Sequence, residues 1–84
     1  MSVVFYSGEH CPVCKTMLPV VQSLVPDVKV VKLDGDSPEI EKYGIRSVPV
    51  IMILDPDGNE VGRITGGMSK MQLQLFLNEK CVIA

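Results

Sequence analysis

Two cysteines stand three positions apart in the segment Cys11-Pro12-Val13-Cys14, a spacing that lets their sulfurs reach each other. The segment follows an apolar run and opens a helical pattern, so the pair is predicted to lie at a helix N-terminus. Unpaired amides and the helix macrodipole give that position about half a positive charge, which stabilises a thiolate. Because a stabilised thiolate is both a nucleophile and a good leaving group, the segment predicts reversible disulfide chemistry.

The two cysteines are predicted to have different roles. Cys11 stands at the exposed N-terminal edge of the predicted helix and is expected to attack, whereas Cys14 falls inside the first turn and is expected to resolve the mixed disulfide. The electrons reside on the sulfurs, so no metal, flavin or nucleotide cofactor is expected. The remaining cysteine, Cys81, follows the last predicted helix and is interpreted as a peripheral thiol.

A zinc site is the main alternative interpretation of the pair. A closed structural site needs four ligands, and the other candidates are the adjacent His10 and the distant Cys81. Neither supplies a second pair of ligands at the usual spacing, so we predict no bound metal. Two buried structural cysteines are a further alternative, but a helix start in a strand–helix–strand context favours redox chemistry.

The composition narrows the class of protein. Eighty-four residues, 46% of them apolar and 21% charged, are expected to form one folded domain over residues 1–84. A net charge of −2 argues against nucleic-acid binding, and the longest uncharged run, residues 16–26, is too short to span a membrane. No signal peptide is expected from the residues after Met1, and the cysteine usage indicates a reducing compartment, so a cytoplasmic location is expected.

Apolar runs alternate with helical patterns in the order β-α-β-α-β-β-α. The first helix begins at Pro12 and contains Pro19, which is expected to kink it. Ser37 precedes the second helix as a cap, and Gly44 is expected to end that helix in a left-handed conformation. Strands are predicted at residues 3–6, 28–33, 48–54 and 60–65.

The last part of the chain carries two strong local signals. Pro56-Asp57-Gly58-Asn59 predicts a turn, so residues 60–65 are expected to return antiparallel to the central strand at 48–54. Ser69 and Gln72 have the capping-box spacing that opens a last helix. Helices between the earlier strands predict right-handed parallel crossovers. The fold class is therefore α/β, with a four-stranded mixed sheet flanked by three helices.

Three segments resemble the thioredoxin family. Residues 11–19, with a proline five positions after the second cysteine, look like its active-site helix. Residues 42–49 are similar to the segment that leads into the family's cis-proline, and residues 66–70 to its last loop and helix. The resemblance covers nearly the whole chain and implies a minimal thioredoxin-like fold of glutaredoxin size. The N-terminal strand and helix of full-length thioredoxins have no counterpart.

The resemblance implies a thiol-disulfide oxidoreductase that reduces protein disulfides. Pro49 would be the cis-proline that packs against the disulfide, and an extended client would pair with the backbone of the preceding Val48. Gly66 and Gly67 would let the client's backbone approach closely. The implied partners are disulfide-containing client proteins, with ribonucleotide reductase among them, and a thioredoxin reductase or glutathione as the reductant. The protein is expected to act as a monomer.

Several residues near the cysteines depart from the family's pattern. His10 stands where thioredoxins usually have tryptophan and is either a modulator of the nucleophile or a solvent-facing residue. Phe5 falls where they usually carry a buried carboxylate, so no proton shuttle is expected there. Lys32 matches a family lysine, although an exposed strand lysine is an equal interpretation. Pro12 and Val13 make the Cys-Pro-x-Cys form that is typical of glutaredoxins.

Two other functions stay open at this point. A glutathione-dependent glutaredoxin would need cationic contacts for the glutathione carboxylates, for which Lys15 and Lys32 are candidates. The acidic residue that often follows the double glycine of glutaredoxins is replaced here by Met68 and Ser69. The other alternative is a non-catalytic binding module of the same fold, which would not reduce disulfides with turnover.

Overall fold

A computed structural model describes residues 1–80, so Cys81 and its predicted peripheral role lie outside the described residues. The order of elements, β-α-β-α-β-β-α, agrees with the prediction. The elements are β1 (Ser2–Gly8), α1 (Pro12–Leu24), β2 (Lys29–Leu33), α2 (Pro38–Tyr43), β3 (Val50–Leu54), β4 (Glu60–Thr65) and α3 (Lys70–Glu79). No helix among these residues is long and apolar enough to cross a bilayer.

The four strands form one mixed sheet in the order β2-β1-β3-β4. β1 and β2 are parallel, as the crossover through α1 predicts, and β3 pairs with β4 as the predicted antiparallel hairpin. β3 occupies a central position but begins at Val50, two residues later than predicted. Pro49 has no amide hydrogen to donate to a ladder, which explains the later start.

The prediction of a parallel crossover between β2 and β3 is wrong. β3 runs antiparallel to β1, with Val50 opposite Tyr6, and is therefore antiparallel to β2 as well. β2 ends and β3 begins at the same edge of the sheet, beyond the C-terminal end of β1. The six residues of α2 span about 9 Å, whereas a five-residue strand spans about 17 Å. The helix thus carries the chain across the sheet from β2 to β3, but it is too short to return the chain to the end of the sheet where β2 begins.

Side chains that alternate along β1 and β3 form a core on each face of the sheet. On one face, Phe5 and Ile51 pack with residues of α1 and α3 such as Val21 and Leu77. The opposite face is covered by α2 and the loops around it, and its buried residues are Val4, Tyr6, Leu33, Ile45, Val50 and Met52. Full burial of one such side chain contributes roughly 1.5–3 kcal/mol. The helices therefore lie on both faces, as predicted.

The helix ends test the local predictions. Gly44 ends α2 with φ 63°, the left-handed conformation that was expected. The Ser69 hydroxyl accepts from the Gln72 amide, and the Gln72 side chain accepts from the Ser69 amide, so the capping box is confirmed. The Ser37 side chain does not cap α2, because its hydroxyl instead accepts from the Asp34 amide at 2.9 Å.

The first helix runs without interruption from Pro12 to Leu24. Pro12 occupies its first turn, as predicted, and Pro19 lies on an exposed part of its surface. The expected kink at Pro19 stays a prediction. What matters for the site is that α1 begins directly after β1, at the edge of the sheet where β2 ends and β3 begins.

Candidate active site

The two cysteines lie at the N-terminus of α1 and are joined by a disulfide, with their α-carbons 5.2 Å apart. Cys11 is the N-cap residue, and its sulfur accepts a hydrogen bond of 3.1 Å from the backbone amide of Cys14. The same amide would donate to a Cys11 thiolate after reduction of the disulfide. Hydrogen bonds to a charged acceptor are the stronger kind, so this geometry favours the ionised form of Cys11.

The two cysteines differ in their exposure to solvent. Cys14 is 3% exposed and belongs to the apolar cluster that also contains Phe5 and Met17. Cys11 is half-buried and packs against the rim of that cluster. A macromolecular partner can therefore reach Cys11 from solvent, whereas Cys14 is screened by the protein itself.

The loop before β3 passes beside the disulfide. Its Val48–Pro49 peptide bond is cis, which is the geometry that the resemblance implies. Val48 is half-buried and packs against the cluster that contains Cys14. An ideal Cβ built on Gly8 would lie 2.9 Å from Cγ2 of Val48 and 3.9 Å from Cβ of Cys11. The absence of a side chain at Gly8 thus leaves room for Val48 next to Cys11.

The glycine pair forms the third part of the site. The Gly66 amide donates to the Pro49 carbonyl at 2.9 Å, so the two loops are joined directly. An ideal Cβ on Gly67 would lie 2.9 Å from Cγ1 of Val13, which places this glycine against the segment between the cysteines. The structure thus brings the CxxC segment, Val48, Pro49, Gly66 and Gly67 onto one face of the molecule.

The other predicted site residues lie around this face and are exposed to solvent. Pro12 and Val13 occupy the first turn of α1 and are exposed, Val13 to 46%. His10, Lys15 and Lys32 are also exposed, and no hydrogen bond or ion pair joins their side chains to either cysteine. Lys32 lies in β2 opposite Ser7 of β1. Any influence of these three side chains on the disulfide therefore does not pass through a hydrogen bond or an ion pair.

Sequence reasoning missed two residues at the site. Gly8 was not among the predicted site residues, although a glycine that closes a strand just before the first cysteine is a recognisable signal for close backbone approach. Met68 was noted only as a replacement for an acidic residue. Its half-buried side chain packs against the same cluster as Cys14 and Val48.

The interior beneath the disulfide is apolar. Phe5 is fully buried in the cluster of Cys14, and no polar or charged side chain is buried among residues 1–80. A proton for the buried sulfur must therefore come from solvent or from an exposed group. Within the same residues, no group of three or more His, Cys, Asp or Glu side chains could hold a metal ion.

Comparisons with known proteins agree with this arrangement. The sequence profile of the Thioredoxin-like domain matches residues 2–80. The chain is 37% identical to the thioredoxin of Pseudomonas aeruginosa, covering 90% of this chain and 75% of that protein. It is 40% identical to the thioredoxin of Chlamydia muridarum, covering 92% and 79%. The fold is similar to that of thioredoxin 1 from Thermosipho africanus, with a TM-score of 0.80, 22% identity and coverage of 96% and 94%.

Proposed function

Because the chain belongs to the Thioredoxin-like domain family and is a thiol-disulfide oxidoreductase, we propose that Cys11 is its attacking thiol and Cys14 its resolving thiol. The observation that supports this assignment is the asymmetry of the pair. Cys11 is accessible, and its sulfur accepts a hydrogen bond from the Cys14 amide, whereas Cys14 is 3% exposed. Nucleophilic attack on a large client needs the accessible, ionised sulfur.

The reaction proceeds in two exchanges. The Cys11 thiolate attacks one sulfur of the client disulfide, the client S–S bond breaks, and the other client sulfur leaves as a thiolate. Cys14 then loses its proton and attacks the Cys11 sulfur, which releases the second client thiolate and forms the Cys11–Cys14 disulfide. Two electrons pass from the protein to the client, and both client thiolates take up protons. The two sulfurs carry the electrons, so the reaction needs no cofactor.

The client is proposed to bind across the face formed by Val48, Pro49, Gly66 and Gly67. Main-chain hydrogen bonds to an extended peptide give affinity with little dependence on its sequence. The exposed Val13 and the half-buried Met68 add apolar surface beside Cys11. The predicted supporting roles of His10, Pro12, Lys15 and Lys32 are retained as parts of the rim around this face.

We propose that a single domain over residues 1–84 acts as a monomer in the cytoplasm on disulfide-containing proteins, ribonucleotide reductase among them. A thioredoxin reductase is the proposed source of electrons, and glutathione is the alternative.

An assay that couples insulin reduction either to thioredoxin reductase and NADPH or to glutathione and glutathione reductase distinguishes the two. A pure binding module would reduce insulin with neither.

Thiol labelling tests the assignment of the two cysteines. The reduced protein is treated below pH 7 with a substoichiometric amount of iodoacetamide, and the adduct is located by peptide mass spectrometry. We expect the label on Cys11, because its thiolate is both accessible and stabilised. Preferential labelling of Cys14 or Cys81 would overturn the assignment.

A further inference from the structure

Arg63 links the last strand to the end of α2. It lies in β4 opposite Met52, and its Nη2 donates to the carbonyl oxygen of Tyr43, the last residue of α2. The same guanidinium donates through Nε and Nη2 to both carboxylate oxygens of Glu60, at 2.5 and 2.6 Å. One side chain thus joins a carboxylate on its own strand to the backbone of another element.

The Tyr43 carbonyl is a favourable place for a cation. The last carbonyls of a helix lack intrahelical partners and carry the negative end of its dipole. The next turn is already ordered, because the Ile45 amide donates to the Ile40 carbonyl at 3.0 Å and the Ile45 side chain is buried. Arg63 therefore adds a tertiary hydrogen bond at a helix end that a local hydrogen bond already orders.

The end of α2, which Arg63 holds at Tyr43, leads directly to the redox site. Five residues separate Tyr43 from Pro49, and among them is Val48, which packs next to Cys11. At the far end of this loop, the Pro49 carbonyl accepts from Gly66, the residue that follows β4. The loop of residues 44–48 is thus held at one end by the Arg63 side chain of β4 and at the other by the amide of Gly66, which follows β4.

We infer that Arg63 is a positioning residue for the reduction of protein disulfides. It acts through the Tyr43 carbonyl, which fixes the start of the loop that presents Val48 and Pro49 to a client. This inference rests on the proposed client-binding face. Glu60 orients the guanidinium, since the planar fork can bond the carboxylate and the carbonyl together. A lysine at this position keeps the charge but lacks the planar fork that bonds the carboxylate and the carbonyl together.

The test compares Arg63→Met, Arg63→Lys and Glu60→Gln with the parent protein. Lys29→Met serves as the matched control, because Lys29 is an exposed cation at the opposite end of the sheet from the cysteines. Two rates are measured for each reduced protein: steady-state insulin reduction, and the bimolecular reaction with the small disulfide DTNB. DTNB reaches the Cys11 sulfur without an extended peptide and reports on the thiol alone.

We expect Arg63→Met to raise KM for insulin about three- to ten-fold, the size of one lost hydrogen bond. The kcat and the DTNB rate are expected to stay within about two-fold of the parent, because the sulfurs are untouched. Arg63→Lys and Glu60→Gln are expected to give smaller increases in KM. Amide hydrogen exchange over residues 44–48 is expected to quicken in Arg63→Met and not in Lys29→Met.

An unchanged KM in a folded Arg63→Met protein would overturn the inference, as would equal losses in the insulin and DTNB reactions. If Arg63→Met fails to fold, Arg63→Lys and Glu60→Gln decide by the same two assays. Failure of the proposed function is recognised separately. A Cys11→Ser protein that still reduced insulin would refute the role of Cys11 whatever the result at Arg63.

Discussion

The side chain of Val48 fills the space that a methyl group on Gly8 would need. An alanine Cβ at Gly8 would lie 2.9 Å from Cγ2 of Val48, closer than real Cβ atoms approach a neighbour. The same point is 3.9 Å from Cβ of Cys11. The contact between the loop before β3 and the first cysteine thus depends on the absence of a side chain at the end of β1.

Gly8→Ala is expected to displace Val48 and impair client reduction. Valine is branched at Cβ and rotates only at a cost, so the loop must move instead. Overpacking of this kind typically costs about 1–3 kcal/mol of stability. We expect a lower free energy of unfolding in urea and a several-fold higher KM for insulin. Gly35→Ala is the control, because no atom of residues 1–80 other than its chain neighbours lies within 4 Å of its added methyl group. Parent-like stability and KM in Gly8→Ala would refute the role of this contact.

Gly67→Ala and Val13→Ala are expected to show coupled effects. The Cβ of an alanine at position 67 would lie 2.9 Å from Cγ1 of Val13, and Val13→Ala removes that atom. The Gly67→Ala loss in insulin kcat/KM is therefore expected to shrink in the double variant. A double-mutant cycle measures this, and contacting residues typically couple by about 0.5–3 kcal/mol. Strictly additive effects would show that the two residues act independently.

Cys14→Ser is expected to trap clients. Without the Cys14 thiol the Cys11–client disulfide is expected to persist, because the sulfur that would attack it is gone. Incubation of this variant with an oxidised protein such as insulin, followed by non-reducing electrophoresis, is expected to show a covalent adduct. Cys11→Ser is the matched control and is expected to form none through this site. Parent-like turnover by Cys14→Ser would show that Cys14 has no resolving role.

Much of the fold was predictable because its signals are local. The capping box of Ser69 and Gln72, the left-handed Gly44 and the hairpin return at residues 60–65 each depend on a few neighbouring residues. The CxxC segment is equally local, since the helix start that favours a thiolate is visible in the sequence around Cys11 and Cys14. These predictions needed no knowledge of how distant segments pack.

Two features that escaped prediction depend on distant contacts. The direction of β3 follows from how far a six-residue helix carries the chain, not from the apolar pattern of the strand itself. The bond from Arg63 to the Tyr43 carbonyl joins residues 20 positions apart and has no periodic signature. Both of these features are set by the tertiary arrangement. Ser37 is a different case, because its hydroxyl accepts from the amide of Asp34, three positions away, so two local partners compete for the same side chain.

The pairing of Glu60 with Arg63 is expected to make stability depend on pH in the acid range. The hydrogen bond from Arg63 lowers the pKa of Glu60 below its ordinary value of 4.5, although partial burial opposes the shift. A carboxylate whose folded pKa is lowered stabilises the protein above its unfolded pKa, and this contribution is lost as the pH falls through the folded value.

The free energy of unfolding of the parent and of Glu60→Gln is therefore measured in urea from pH 7 to pH 3. We expect the parent to be the more stable protein above about pH 5, and the difference to shrink as the pH falls below the unfolded pKa. Glu41→Gln controls for the loss of an exposed carboxylate, because Glu41 forms no ion pair among residues 1–80. A difference between parent and Glu60→Gln that stayed constant down to pH 3 would show that the ionised pair does not stabilise the fold.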